Sequence, residues 1–457
     1  ARVLPTSIET AQIDPATSDW TMMLDRRDRR RDRNRGRHRR VGTVRPRVWA
    51  PAGKGHCRLS DVDTGPNFFT PLNTGAHRTM GSTEGEVQRF LVVCGLAVVN
   101  LLYAREVVIR AKVPPGWGRL LLFMPCLISH VYFPSKTLDP FEEVLASAVS
   151  FTNFGWWTNF KLMGLAFGRG QLVGKVGSPL MFLAAGALPI KEEGSSGGGR
   201  PNQNPDARRT RSSSAAEAKV SKELSPTATL ARACCRIPVL CTVIYAAPRL
   251  QVGSFALNLC YSFGLYAVLG FIFDLAGLVS SSVFSINLSP HFDMPFLSTS
   301  ATNFWAKRWN LVAGTLLREV VYEPIIEGSM TALPTHEPGS KRRRGKAKKP
   351  SAARRLAATT ACFLASGLAH EIIMWYMCGA REFGWEWTAF FTAQAPLCTL
   401  EWFIKRRTKL RFPTPLAIVV FLTVELTIAK FLFFPPVVRQ GLDQRVINDV
   451  KRILGLP

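Results

Sequence analysis

Long apolar stretches recur along the chain from residue 90 onward, each bounded by polar or Pro/Gly-rich sequence. They are Phe90–Ala104, Arg119–Phe133, Val144–Phe160, Ser178–Ile190, Ile237–Leu250, Leu257–Leu275, Gly277–Leu288, Leu356–Cys378, Trp387–Ile404 and Leu416–Phe434. A helix needs about 20 mostly apolar residues to cross the hydrocarbon layer. The runs show no sustained alternation of period two, which argues against a membrane barrel. The pattern predicts an all-α fold, a polytopic transmembrane helical bundle of roughly eight to ten spans. The shorter stretches are buried or re-entrant rather than crossing.

Three polar segments interrupt this pattern. The first, 1–79, contains DRRDRRRDRNRGRHRR (Asp25–Arg40) and has almost no apolar periodicity. It reads as a disordered basic N-terminal extension, not expected to belong to the native protein. Met80, followed by GSTEGEVQRF and then apolar sequence, is the expected start of the working chain. The second, 191–236, is rich in Gly, Ser and Pro and reads as a disordered cytosolic linker. The third, 334–355, is a basic loop containing KRRRGKAKK. The expected organisation is therefore 80–190 as N-terminal membrane helices and 237–457 as a second membrane region carrying the basic loop. The first apolar run follows Glu84 and Glu86 rather than a positive segment, so no secretory signal is read there.

Composition sharpens this picture through where the charge falls. The 457 residues carry 58 Lys/Arg against 32 Asp/Glu, a net +26, and 47% are hydrophobic. Such a basic balance argues first for nucleic acid or an anionic membrane. Yet 1–79 holds 16 basic against 8 acidic residues, 191–236 holds 9 against 5, and Lys341–Arg355 holds 9 against none. Most of the excess lies in tails and loops, and the apolar body is close to neutral. Positive loops favour the cytosolic side, so both loops are expected there and no nucleic-acid partner is expected. Ten Cys in a chain of this length are ordinary usage and exclude a disulfide scaffold. Cys234, Cys235 and Cys241 read as ordinary thiols rather than acylation sites.

Two segments carry chemistry. His370 is the one histidine inside a convincing span, in FLASGLAHEIIMWY. Ionisable groups at that depth face protein or a water-filled cavity. On a helix Ser366 and Gly367 share its face and leave room for a substrate or a closely packed helix. A structural His bonded to a neighbouring helix is the alternative. The second segment runs LSPHFDMPFLSTSATNFWAKRWNLVAGTLLREVVYEPI, Leu288–Ile325. Lys307 and Arg308 lie between Trp305 and Trp309, as suits a helix at the membrane surface, and Asn310 opens an apolar run. An interfacial anchor without chemistry is the alternative there. Glu425, within LAIVVFLTVELTIAK, reads as packed against another polar group. No phosphate-binding loop, dinucleotide fingerprint, nucleophile elbow or zinc-like Cys/His spacing is present.

Taken together, these blocks resemble the plant wax synthase branch of the membrane-bound O-acyltransferase family. The PHFDMPFLSTS and FWAKRWNLVAGTLLREVVYEPI blocks resemble its Pro-rich turn and Arg-Trp-Asn motif, and FLASGLAHEII resembles its active-site histidine helix. NFKLMGLAFGRGQL (Asn159–Leu172) and LFFPPVVRQGLDQRV (Leu432–Val446) resemble its flanking regions. The likeness runs from about Met80 to the C-terminus and is carried by the two blocks in that order. The chain departs from the family at Ala306 and Lys307, where Gly-Arg is usual, and at Gln394, where a His is usual.

The resemblance implies His370 as catalytic base and Asn310 as its partner. The reaction is ester formation from acyl-CoA and a long-chain fatty alcohol, and neither metal nor cofactor is expected. A neutral imidazole takes the alcohol proton as the oxygen attacks the thioester, while Asn310 steadies the thioester carbonyl or orients the donor. Trp305, Lys307, Arg308, Trp309, Arg318 and Ser366 are the expected substrate-binding residues, with the cations facing coenzyme A phosphates. Glu371, about 100° from His370 on a regular helix, is expected to be structural, as are His291 and Asp293. The resemblance further implies the endoplasmic reticulum membrane, with membrane lipids as surroundings. Sterol or diacylglycerol acceptors remain open, as do a transporter, in which His370 and Glu425 line a pathway, and an inactive scaffold.

Overall fold

The computed structural model of the protein describes residues 83–189, 226–284, 290–332, 350–379, 384–408 and 412–455. All regular structure among them is helical. The expected basic extension, most of the linker and residues 334–349 of the basic loop lie outside the described residues. Five helices are long and apolar enough to cross a membrane: Glu84–Ile109, Pro226–Arg249, Phe255–Phe284, Ala352–Met377 and Thr414–Arg439. They present Leu91, Val99, Leu364, Val419 and Phe431 outward, the arrangement expected of a protein whose solvent is lipid.

The larger expected number of spans is not reached among the described residues, for reasons visible in the chain. Pro179–Ala187 has only nine residues, a rise of about 14 Å and too short to cross. Leu257–Leu275 and Gly277–Leu288 are not two spans. One 30-residue helix, Phe255–Phe284, passes straight through Gly277. The stretch expected to begin at Ile237 begins at Pro226, inside the segment read as linker. Arg232 and Arg236 do not end that helix because Asp274 on Phe255–Phe284 compensates both.

In chain order the helices are α1 (Thr83–Ile109), α2 (Trp117–Thr137), α3 (Val144–Ser150), α4 (Asn159–Ala166) and α5 (Pro179–Ala187). An eight-residue π-helical turn, Phe151–Thr158, joins α3 to α4. Leu101, Phe123, Leu162, Leu165 and Phe182 form the core of this half. The NFKLMGLAFGRGQL segment is chiefly architectural. A helix C-terminus leaves four carbonyls without intrahelical partners, and side chains satisfy those ending α5. Gln171 donates to Ala185 O (3.2 Å), Thr158 to Gly186 O (3.0 Å), Asn153 to Ala187 O (2.6 Å) and Lys161 to Leu188 O (2.6 Å). His291 donates to Pro189 O, and burial pushes its pKa down to about 3, holding the ring neutral. The structural role expected of His291 fits this placement. Arg169 donates to the carbonyls of Met330 (2.8 Å) and Ser329 (3.0 Å) and pairs with Glu327 (2.6 Å).

The second half opens with the hairpin α6 (Pro226–Ala246) and α7 (Phe255–Phe284). There follow α8 (Ala301–Lys307), α9 (Leu311–Leu317), a π turn Arg318–Tyr322 and α10 (Glu323–Glu327). The last helices are α11 (Ala352–Met377), α12 (Glu386–Thr408), α13 (Thr414–Leu432), α14 (Phe434–Arg439) and α15 (Leu442–Leu454). The amphipathic α15 ties back to the first half. Its Asp449 accepts from the Leu145 backbone N–H (2.8 Å), and its Arg452 pairs with Glu86 (2.6 Å).

Candidate active site

The site is built on the packed pair α11 and α12. Gly367 sets their closest approach, since a Cβ there would lie 2.9 Å from Thr388 Cα and 3.0 Å from Thr388 O. Such distances to backbone atoms leave no room for a methyl group. The small residues before His370 therefore serve a helix contact. Gly367→Ala is expected to lower stability by about 1–3 kcal/mol, the usual cost of overpacking, despite alanine's better helix propensity. Thermal unfolding of the detergent-solubilised protein measures this, and an unchanged midpoint would contradict the close approach.

His370 lies inside that contact, half-buried among aromatic rings. Phe391 of α12 stacks on it at 4.0 Å between centroids, Trp156 meets it edge-on at 4.9 Å and Trp387 at 5.9 Å. Its Nδ1 sits 2.7 Å from Ser366 O. A carbonyl only accepts, so Nδ1 carries the proton and, in the neutral ring, Nε2 is left as a proton acceptor. Ser366 thus contributes its backbone oxygen to the ring's orientation. Glu371 is engaged elsewhere, as expected. Its Oε1 accepts from Trp385 N–H (2.7 Å) and its Oε2 from Thr388 N–H (3.0 Å) and Oγ1–H (3.3 Å). These are orphan donors at the start of α12, so Glu371 caps that helix.

The Arg-Trp-Asn block forms a tightly bonded turn. Met294 and Asn310 both adopt left-handed backbone, φ 44° and 42°, a conformation Asn tolerates better than most residues. Asn310 Oδ1 accepts from Ala313 N–H at 3.2 Å and caps α9, leaving its Nδ2 donor outside that bond. Arg308 donates from Nε to Asn303 (2.9 Å) and from Nη1 to the Asp293 carbonyl (2.9 Å), bracing the Pro-rich turn. Trp309 packs on Phe304 (5.3 Å) and Phe292 (4.9 Å). Lys307 is exposed, and Arg318 pairs with Glu323 at 3.3 Å.

These residues reach His370 along two routes. Trp305 contacts Phe391, the ring stacked on His370, at 5.6 Å. Trp309, Val312 and Ala313 share one apolar core with Ala369, Ile373 and Trp156, so the first turn of α9 packs beside the histidine helix. No hydrogen bond joins Asn310 to His370 among the described residues. Arg308 and Arg318 are held by separate partners, Asn303 with the Asp293 carbonyl and Glu323. Gln394, fully buried, accepts from Trp305 Nε1–H at 3.1 Å, donates to Phe390 O at 3.4 Å and lies beside Glu425. The departure from His at this position thus supports Trp305 and gives Glu425 the polar neighbour expected for it. Trp156, Trp387 and Phe391 line the histidine without having been singled out from sequence. Aromatic residues abound in every membrane helix, so composition carries no signal separating lining residues from lipid-facing ones.

The chain is similar to known proteins. Residues 288–393, from the Pro-rich turn through His370 to the middle of α12, match the membrane bound O-acyl transferase family. Three plant proteins are similar to this chain over most of their length. The acyl-CoA–sterol O-acyltransferase 1 of Arabidopsis thaliana is 28% identical over 80% of this chain and 94% of its own. The long-chain-alcohol O-fatty-acyltransferase of Simmondsia chinensis is 25% identical over 82% and 98%. A probable long-chain-alcohol O-fatty-acyltransferase 2 of Arabidopsis thaliana is 27% identical over 82% and 97%. The helical membrane body and this match agree on a class: over residues 288–393 the chain is similar to the membrane bound O-acyl transferase family. Along most of its length it resembles plant long-chain-alcohol O-fatty-acyltransferases, the wax synthases.

Proposed function

We propose that the protein esterifies a long-chain fatty alcohol with the acyl group of an acyl-CoA, using His370 as general base. The observation that carries this is the state of the imidazole. Nδ1 is committed to Ser366 O at 2.7 Å, so Nε2 is the nitrogen that accepts a proton. A primary alcohol keeps its proton at neutral pH and needs such an acceptor as its oxygen attacks the thioester. Aromatic rings around the base suit an alkyl chain and exclude water, which would otherwise compete as nucleophile. In this reading Trp305 and Trp309 form the walls, Ser366 orients the base, and Asn310 Nδ2 binds the acyl donor. Lys307 and Arg318 meet the coenzyme A phosphates at the cytosolic mouth, and Arg308 shapes the turn that holds them. The reading includes residence in the endoplasmic reticulum.

A sterol acceptor is the second reading, favoured by the similarity to a plant sterol acyltransferase. Both readings are tested by expressing residues 80–457 in a host lacking neutral-lipid synthesis and supplying fatty alcohols, sterols or diacylglycerol separately. Wax ester as the dominant product is the expected result, and steryl ester would replace the acceptor assignment. No ester with any acceptor would overturn the enzyme reading in favour of a transporter or scaffold.

A further inference from the structure

The residue that stands out is Trp156. It lies in the π-helical turn Phe151–Thr158, a distortion that recurs at functional sites because it breaks the regular hydrogen-bond ladder. Its side chain is 5% exposed, and its indole Nε1 is buried with no hydrogen-bond partner. Its ring meets the His370 imidazole at 4.9 Å. Buried N–H groups are almost always paired in folded proteins, and one left unpaired calls for a specific explanation. Eleven other buried polar atoms among the described residues also lack partners, and none but Trp156 Nε1 belongs to a ring in contact with His370; Trp157 Nε1 and Glu425 Oε2 are the two nearest in kind. Trp157 packs instead on Phe273 (5.2 Å) and His291 (6.5 Å), and Glu425, on α13 (Thr414–Leu432), lies beside Gln394. Trp156 alone of the three is in ring contact with His370.

An indole N–H only donates, whereas Nε2 of neutral His370 only accepts. A donor lacking an acceptor therefore stands beside an acceptor lacking a donor. An alcohol and a thioester reacting together supply both: a hydroxyl proton to give and a carbonyl oxygen on which negative charge develops. We propose that Trp156 Nε1–H is the oxyanion donor of this site, an assignment that rests on the acyl-transfer reading above. As the alcohol oxygen bonds to the thioester carbon, the carbonyl electron pair moves onto its oxygen and the hydroxyl proton passes to His370 Nε2. The tetrahedral centre then re-forms the carbonyl, the carbon–sulfur bond breaks, and the departing sulfur takes the proton from His370 Nε2 as the coenzyme A thiol. Trp156 keeps its proton throughout, and its hydrogen bond is strongest when the carbonyl oxygen is most negative.

Trp156→Phe removes the N–H and keeps an aromatic ring. It is expected to lower kcat by on the order of 10²-fold, the usual loss on deleting one oxyanion donor, with KM for acyl-CoA little changed. A kcat within about twofold of the unaltered protein overturns the proposal. A binding measurement separates this role from a structural one. Two acyl-CoA analogues of equal length are compared by displacement of labelled acyl-CoA. One is a ketone with methylene replacing sulfur, which keeps the carbonyl. The other is an S-alkyl thioether, which lacks it. The unaltered protein is expected to prefer the ketone severalfold, Trp156→Phe to lose that preference, and Trp157→Phe to keep it. Equal weakening of both analogues by Trp156→Phe, or loss of the preference in Trp157→Phe instead, would reject the donor role. The preference is read without turnover, so failure of the donor assignment is distinguishable from failure of the acyl-transfer reading, which shows as absence of any ester.

Discussion

Replacing His370 by alanine is expected to abolish detectable ester formation, a loss of roughly 10²–10⁴-fold, the range set by removing a positioned general base. Little should happen to the fold around it. Alanine is the best helix former, so α11 (Ala352–Met377) keeps its backbone. The Glu371 bonds to Trp385 and Thr388 that fix the start of α12 do not involve the imidazole. The substitution removes the ring stacked on Phe391 at 4.0 Å and the bond from Nδ1 to Ser366 O. Some thermal stability is therefore lost with the activity. The measurement is ester produced per mole of folded protein, with thermal unfolding run on the same preparations. Ester formation within a few-fold of the unaltered protein, at equal protein level, would remove His370 from the chemistry. His370→Gln sharpens the result. It restores a polar side chain of similar reach but no proton acceptor of comparable basicity, so its activity should stay as low as that of the alanine variant.

The helical character and the histidine helix were legible in the sequence for a physical reason. Apolar runs long enough for hydrocarbon permit few structures other than helices, and a titratable residue inside one stands out against its neighbours. The run Leu356–Cys378 accordingly sits almost wholly on Ala352–Met377. Span boundaries were less legible where polar residues are neutralised by distant partners. Arg232 and Arg236 mark a polar segment in one dimension, but Asp274 lies 38 residues beyond Arg236 and makes them helical interior. The candidate site divides in the same way. His370 and the Arg-Trp-Asn block are recognisable as motifs, yet the motif does not separate chemistry from architecture. Arg308 is fixed by the Asp293 carbonyl and Asn303, contacts that only the folded turn reveals. Trp156 was invisible because its distinction is a missing partner, which exists only in three dimensions.

Asp274→Ala is expected to be among the most destabilising single substitutions in the chain, costing about 3–5 kcal/mol. Asp274 is 4% exposed and bonds Arg236 Nε at 2.8 Å and Arg232 Nη2 at 3.0 Å. Arg232 is partly exposed and has a long stem, so it can turn its charge outward. Arg236 cannot do so. Its guanidinium lies over Gly270 and the Tyr266 ring, 4.6 Å from the ring centroid, and Nη1 donates to the Tyr266 carbonyl at 3.2 Å. Removing the carboxylate strands that cation between two apolar helices. The double variant Arg236→Met with Asp274→Leu is expected to recover most of the loss, because an apolar pair of similar volume carries no desolvation penalty. Thermal unfolding of the three proteins checks both statements, and a single variant as stable as the parent would show that the pair is not buried as described. The consequence extends to catalysis through the neighbouring residue. Phe273 stacks on His291 at 4.3 Å and lies 5.2 Å from Trp157, beside the π turn that places Trp156 against His370. A shift of α7 (Phe255–Phe284) therefore moves the turn that holds the aromatic partner of His370. Asp274→Ala molecules that do fold should form ester more slowly per folded molecule, and the double variant should recover rate together with stability.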